Sequence, residues 1–167
     1  VALSVDAKPV QPVQRDGDEL TLGRVGAKAP EADSLDLRVY RRLADGVPAH
    51  LRTVIQIQAS GQAREETIGP ALPEGFVPLA LDGKWPARLD ADGRLRVRVQ
   101  PGSDTLTLDA RATAPLSEAA ARIAPAPWPQ QEIWSYAAAP RLRVSVASGA
   151  VQVDPRADWI AFLGDAV

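Results

Sequence analysis

RLDADGRLRVRVQPGSDTLTLDARA, running from Arg88 to Ala112, decides the fold. Leu95, Val97 and Val99 alternate with Arg94, Arg96, Arg98 and Gln100. Leu106, Leu108 and Ala110 alternate with Thr105, Thr107, Asp109 and Arg111. A side-chain period of two marks a strand with one buried face. Between the two runs lies Pro101-Gly102-Ser103-Asp104, where Pro fixes φ, Gly permits a positive φ and Asp bonds its own backbone. The spacing predicts a β-hairpin closed by this four-residue loop. With Gln100 opposite Thr105, Val99 faces Leu106, Val97 faces Leu108 and Leu95 faces Ala110. Arg96 then faces Asp109 as an exposed cross-strand pair. A slip of one residue would turn the arginines into the core, so the pattern specifies its own register.

The same texture extends in both directions. Leu35, Leu37 and Val39 alternate with Asp36, Arg38 and Tyr40, which predicts a strand reaching to about Leu43. After the turn Asp45-Gly46-Val47-Pro48, one face of a long strand carries Leu51, Thr53, Ile55, Ile57 and Ala59. Branched residues favour the pleat there over a helix. Gln62 to Ile68 reads as a more polar strand near an edge. Phe76 to Leu81 is a short one in which Pro78 argues for an edge or a bulge. Ala87 to Leu89 leads into the central stretch. Val1 to Val5 and Glu19 to Leu22 are short strand candidates near the start. Pro115 to Ala124, with Ser117 as a cap, is the one helix candidate. Beyond Pro125, Pro127 and Pro129, strands are predicted at Gln131 to Ala137, Arg141 to Ala147 and Ala150 to Val153. An apolar tail, Trp159 to Leu163, follows.

Many short strands joined by Gly, Asp and Pro turns predict an all-β fold, an antiparallel β-sandwich of jelly-roll type with at most one short helix. The expected core comprises Leu37, Val39, Ile55, Ile57, Leu79, Leu95, Val97, Val99, Leu106, Leu108, Val144 and Val146. The expected organisation is an N-terminal segment over 1–32 packing on the sandwich, the sandwich over 33–154, and the apolar tail over 155–167. No fixed-period repeat appears, which argues against a solenoid or propeller.

Composition narrows the chemistry. A chain of 167 residues, 46% hydrophobic, suits one domain or a small pair with a real core. The net charge of −2 implies no polyelectrolyte partner, so nucleic acid is not expected. With no Cys there is no disulfide or thiol chemistry, and with one His, His50, no multi-histidine metal site arises from this chain alone. No cofactor and no membrane span are expected. The absence of Met, even at the first position, suggests a processed protein or a piece of a longer one. Arginine outnumbers lysine and alanine is abundant, the habit of a GC-rich bacterial genome.

Motifs for catalysis are missing: no nucleophile elbow, P-loop or dinucleotide fingerprint occurs. His50 stands beside a turn without a sequence partner. Glu65 and Glu66 point to opposite faces of a strand and cannot act together. Asp154 and Asp158 flank the last strand, where a carboxylate pair and ordinary solvation are both open readings. Asp90-Ala91-Asp92-Gly93 resembles the opening of a calcium loop but lacks the later ligands, so a turn between strands is the better reading. Arg94, Arg96 and Arg98 form either a basic strip for an acidic partner or a solvated sheet face. Trp134 and Tyr136, two residues apart, would share a strand face and with Trp85 would offer rings to a sugar. The other reading buries them in the core. Trp85 and Trp128 each precede Pro and suggest plugs that anchor loops.

Residues Leu35 to Pro155 resemble part of large, uncharacterised envelope-associated proteins of Gram-negative bacteria. The residues that carry the likeness are Glu74-Gly75-Phe76, the Pro101-Gly102 turn, and Pro127-Trp128-Pro129 followed by Glu132-Ile133-Trp134. The resemblance implies a periplasmic or other extracytoplasmic β module inside a bigger chain, partnered by neighbouring domains or envelope proteins. It implies no activity and no functional residues. The expectation is therefore a non-catalytic structural or interaction module, with a carbohydrate-binding module as the alternative.

Overall fold

A computed structural model describes residues 4–5, 8–9, 13–16, 19–22, 32–121, 124–146, 148–149 and 151. The chain divides into two compact units, Val1–Ala32 and Asp33–Val167. The first contains two short antiparallel pairs, β1 (Ser4–Val5) with β2 (Lys8–Pro9) and β3 (Val13–Asp16) with β4 (Glu19–Leu22). The expected tail over 155–167, the strand proposed at Ala150 to Val153, and Asp154 and Asp158 lie outside the described residues, Val151 excepted.

The second unit is an all-β sandwich. Its larger sheet contains β5 (Ser34–Ala44), β6 (His50–Ser60), β8 (Phe76–Asp82), β11 (Gly102–Ala112) and β12 (Glu132–Ala137), in the order β12-β5-β6-β11-β8. The smaller sheet contains β7 (Arg64–Ile68), β9 (Ala87–Leu89) and β10 (Leu95–Val99), in the order β7-β10-β9. All pairings are antiparallel except β12, which runs parallel to β5. The inward residues of both sheets meet in one cluster: Leu37, Val39, Ile55, Ile57, Leu106 and Leu108 from the larger sheet, and Ile68, Leu95, Val97 and Val99 from the smaller. That interdigitation of two apolar faces is what removes the most surface from water.

The hairpin read from the alternation is not formed. β10 pairs with β7 and β9, while β11 pairs with β6 and β8, so the two strands lie in opposite sheets. Val97 sits beside Ala87 and Glu66, and Arg96 beside Arg88 and Thr67, in place of the Leu108 and Asp109 partners inferred from sequence. A period of two buries the same side chains whether two strands lie side by side or face each other across a core. The corner explains the choice. β11 already begins at Gly102, with Gly102, Ser103 and Asp104 opposite Ala59, Gln58 and Ile57, which leaves only Gln100 and Pro101 between the strands. A tight two-residue hairpin of the type I′ form needs positive φ at both positions, which Pro cannot adopt. The chain crosses to the other sheet instead.

Asp104, read from sequence as a turn residue, points inward and is 4% exposed. Its carboxylate accepts from the backbone N–H groups of Lys84 (3.1 Å), Trp85 (2.8 Å) and Thr105 (2.7 Å). Through Lys84 and Trp85 it ties down the crossing from β8 to β9, satisfying backbone donors there. The true hairpin is β9–β10, closed by the Asp90–Gly93 turn. There Gly93 at φ 80 donates to the carbonyl of Asp90, and the Arg94 amide donates to the Asp92 side chain.

Three expected core residues are exposed. Leu79 is 52% exposed because β8 bulges there: Asp109 faces Ala80 and Ala110 faces Pro78, leaving Leu79 as the extra residue. Val144 and Val146 are 95% and 88% exposed. No strand forms over the described residues 141–146. Arg143 turns toward the domain to reach Asp45 at 3.1 Å and the Leu116 carbonyl, and Ser145 bonds the Tyr136 hydroxyl, which leaves Val144 between them and Val146 beyond them facing out. The helix proposed at Pro115 to Ala124 is also absent among the described residues. Its alanines provide no apolar stripe, and a segment that short is marginal without one. Leu116 and Ala124 anchor it as irregular chain.

Candidate functional site

The inward row of β5 reads Leu35, Leu37, Val39, Arg41, Leu43. A guanidinium therefore enters an apolar face, and Arg41 is 2% exposed. In register beside it stand Thr53 on β6 and Trp134 on β12. Every N–H of the guanidinium is used. Nε donates to Glu132 Oε2 at 3.0 Å, and one terminal nitrogen donates to Thr53 Oγ1 at 2.9 Å and to the Ala71 carbonyl at 2.8 Å. The other donates to the Pro70 carbonyl at 2.8 Å and to Glu132 Oε1 at 3.2 Å.

Glu132 is equally occupied. Besides Arg41, it accepts from the indole N–H of Trp128 at 2.8 Å and of Trp134 at 2.9 Å. The Arg41 guanidinium carbon lies 5.7 Å from the Trp128 ring centre and 5.5 Å from that of Trp134. This is a cation between two aromatic rings with its counter-ion in the same shell. Burying two charges is costly unless each remaining donor and lone pair is satisfied, and here they are. The cluster joins five pieces of chain: β5, β6, the loop carrying Pro70 and Ala71, the segment carrying Trp128, and the parallel edge strand β12.

Above this cluster opens a cavity of about 370 Å³. Leu72, Pro73, Phe76 and Trp134 form its apolar walls, and Glu74 and Asp92 stand among its lining residues. Gly93 shapes the opposite side: its carbonyl accepts from the amides of Ala71 and Leu72. The turn between β9 and β10 is thus pinned to the loop over Arg41.

The residues singled out from sequence fall in separate places. Trp134 lines the cavity and packs, partly buried, against a second apolar cluster that includes Leu43, Leu51, Phe76 and Ala110. Tyr136, on the same strand, is 45% exposed with its hydroxyl bonded to Ser145 at 2.6 Å. Trp85 lies in the connection from β8 to β9, at the opposite edge of the larger sheet, and packs against the main core. The structure does not bring these rings into one platform. Trp128 does plug the interior, at 2% exposed.

Arg96 and Arg98 lie on the outer face of the smaller sheet and Arg94 at its turn. Arg96 reaches Asp90 at 3.0 Å and Glu65 at 3.4 Å, replacing the Asp109 pairing read from sequence. Hydrogen bonding and charge from Asp90 raise its pKa, with a smaller rise from Glu65. Asp109 instead holds Arg52 across β6 and β11, with Nε to Oδ1 at 2.7 Å. That hydrogen bond raises the Arg52 pKa against a smaller opposing effect of burial. Arg94 lies 3.7 Å from Asp92. His50 is the exposed first residue of β6. Glu66 faces inward at the rim and pairs with Arg64 at 2.6 Å, while Glu65 faces out.

Sequence reading missed Arg41 and Glu132. The signal for Arg41 was present: a charge at an inward position of an otherwise apolar alternation. Nothing local marks Glu132 as its partner. Among the described residues no group of acidic and histidine side chains could hold a metal ion, and no helix is long and apolar enough to cross a membrane. Comparison with protein-family models, with curated proteins and with solved structures finds no match.

Proposed function

We propose that this chain is a non-catalytic interaction module of a larger bacterial cell-envelope protein. The observation that carries the reading is the saturation of the Arg41–Glu132 cluster. Acid and base groups beneath a cavity are what a catalytic site would use, but here each polar atom is engaged in joining β5, β6, β12 and the Pro70 loop. A carboxylate with all its lone pairs taken by fixed donors is a poor general base. The likeness to envelope-associated proteins supports the extracytoplasmic setting.

The smaller sheet supplies the partner-facing surface in this reading. Arg96 is shared between two acids, while Arg98 is exposed and forms no ion pair among the described residues, with Glu65 its cross-strand neighbour. An acidic strip on a neighbouring domain is the complementary surface. The test is photo-crosslinking from position 67, where the exposed Thr67 stands opposite Arg96 on the same face, in the producing cell, followed by fractionation. The expected product is an adduct in the envelope fraction that disappears when Arg94, Arg96 and Arg98 are all replaced by Gln. Recovery of the chain only from the cytosol, or an adduct indifferent to the arginines, overturns the proposal.

A further inference from the structure

We infer that residues 143–146 are a strap poised to close on the open edge of β12 and to become a further strand of the larger sheet. This goes beyond the interaction role and does not depend on it. β12 is an end strand of its sheet, with no partner on its far side among the described residues. The Ala137 carbonyl accepts from the Asp45 amide, so Ala137, Ser135 and Ile133 turn their backbone groups toward β5. By alternation, Trp134 and Tyr136 turn theirs to the unpaired side. Such an edge is a template for another strand.

Three contacts already favour one register. The Leu142 amide donates to the Ala139 carbonyl at 2.8 Å, a turn that reverses the chain just beyond β12, with Pro140 at its second position. The hydroxyls of Tyr136 and Ser145 bond at 2.6 Å, which puts these two side chains on one face. Arg143 holds Asp45, the residue that follows β5, at 3.1 Å. A loop over 139–142 then sets Arg143 opposite Ala138, Val144 opposite Ala137, Ser145 opposite Tyr136 and Val146 opposite Ser135. Tyr136 and Ser145 exchange backbone hydrogen bonds in that arrangement. Val144 and Val146, 95% and 88% exposed in the open strap, fall on the outer face of the sheet. There Val146 lies diagonal to Ile133 and extends the apolar cluster of Tyr40, Val54 and Ile133. Arg143 stays on the other face beside Asp45, whose Oδ2 is buried and accepts from no described donor. One arm of the guanidinium is now spent on the Leu116 carbonyl, which holds the strap open. Released from it, the fork fits both carboxylate oxygens. Closure thus satisfies the sheet edge and the orphaned oxygen, and shelters two valines. It also decides whether the edge is free for a foreign strand.

The chain has no cysteine of its own, so introduced pairs report closure. Ala137→Cys with Val144→Cys places two thiols opposite each other at a pair without mutual backbone bonds, where Cα atoms stand about 4.5 Å apart, within disulfide reach. Ser135→Cys with Val144→Cys keeps the face and is two residues out of register. Oxidised in glutathione buffer, the first pair should close within one chain about tenfold faster than the second or more, because its thiols are pre-aligned. Hydrogen exchange at the Ser145 amide should then be slower by about tenfold or more in the oxidised protein than in the reduced one. Ser145→Pro, which removes that N–H, should bring the two oxidation rates together. Tyr136→Phe with Arg143→Gln, which removes two of the guiding contacts, should narrow the gap between them. Equal rates for the two pairs, or a Ser145 amide that exchanges alike in both forms, would overturn the inference. Disulfides that form between chains in place of within one would also overturn it and assign the edge to a second copy.

Discussion

Arg41 and Glu132 are separated by 91 positions in the chain, yet Nε and Oε2 meet at 3.0 Å with the two side chains 3% and 5% exposed. The contact attaches the parallel edge strand to the sheet from the inside. It also explains why the Pro70 loop closes over the end of the sandwich, since two of its carbonyls accept from the same guanidinium.

Replacing Glu132 by Gln removes the counter-charge and leaves Arg41 buried without one. Breaking a buried pair in this way typically costs about 3–5 kcal/mol. Replacing both, Arg41→Met with Glu132→Leu, removes the unpaired charge along with the pair and should cost much less than the two single changes summed. Urea denaturation of the parent, Arg41→Met, Glu132→Leu and their double measures the coupling, with Glu132→Gln as a fifth protein. A Glu132→Gln variant with the parent's midpoint would show that the pair does not hold β12.

Val97 and Leu79 look alike in sequence but should respond in opposite ways to a charge. Val97 is 0% exposed between the sheets, so Val97→Asp buries an unpaired carboxylate and should unfold the domain. Leu79→Asp, at the bulge, should stay within about 0.5 kcal/mol of the parent. Thermal melts of the two variants decide this, and equal losses would mean that the bulge is misplaced.

Gly75 and Gly93 share a positive φ, 83 and 80, and differ in what surrounds them. A Cβ at Gly75 meets nothing within 4 Å, whereas one at Gly93 would stand 2.5 Å from the Leu72 carbonyl oxygen. Gly75→Ala should cost about 1 kcal/mol for the backbone alone. Gly93→Ala should cost clearly more and raise hydrogen exchange at the amides of Ala71 and Leu72, which bond to Gly93. Equal midpoints for the two variants would remove the pin from the loop.

The triple replacement of Arg94, Arg96 and Arg98 by Gln should fold with an unchanged melting temperature. The pKa of Arg96 is raised in the fold by Asp90 first and by Glu65 second. A base with a raised folded pKa contributes fully below its unfolded value and loses that contribution only as pH climbs through the folded one. For an arginine that window is strongly alkaline. The stability difference between parent and triple variant should therefore be flat from about pH 6 to about pH 9. A triple variant that fails to fold would place these side chains inside the sandwich.

The alternation of residues alone assigned the shared apolar face of β5, β6, β10 and β11, because a period of two sorts side chains without reference to any partner strand, but it did not foresee that Tyr40, Arg41 and Val54 are buried as well. The sequence also marked the edge position of β7 and the break at Pro78, since polarity and a missing N–H are local properties. It could not determine which strands pair. Leu95, Val97 and Val99 are satisfied equally by a neighbour in the same sheet and by Leu106 and Leu108 across the core. Only the closure at Gln100-Pro101, together with the ladders already offered by β6 and β7, separates the two arrangements. The candidate site depended still more on tertiary structure. Arg41, Glu132, Trp128 and the Pro70 loop are distant in sequence, and a buried guanidinium is tolerable only when all of its partners arrive together. That is a property of the assembled sandwich and of no single segment.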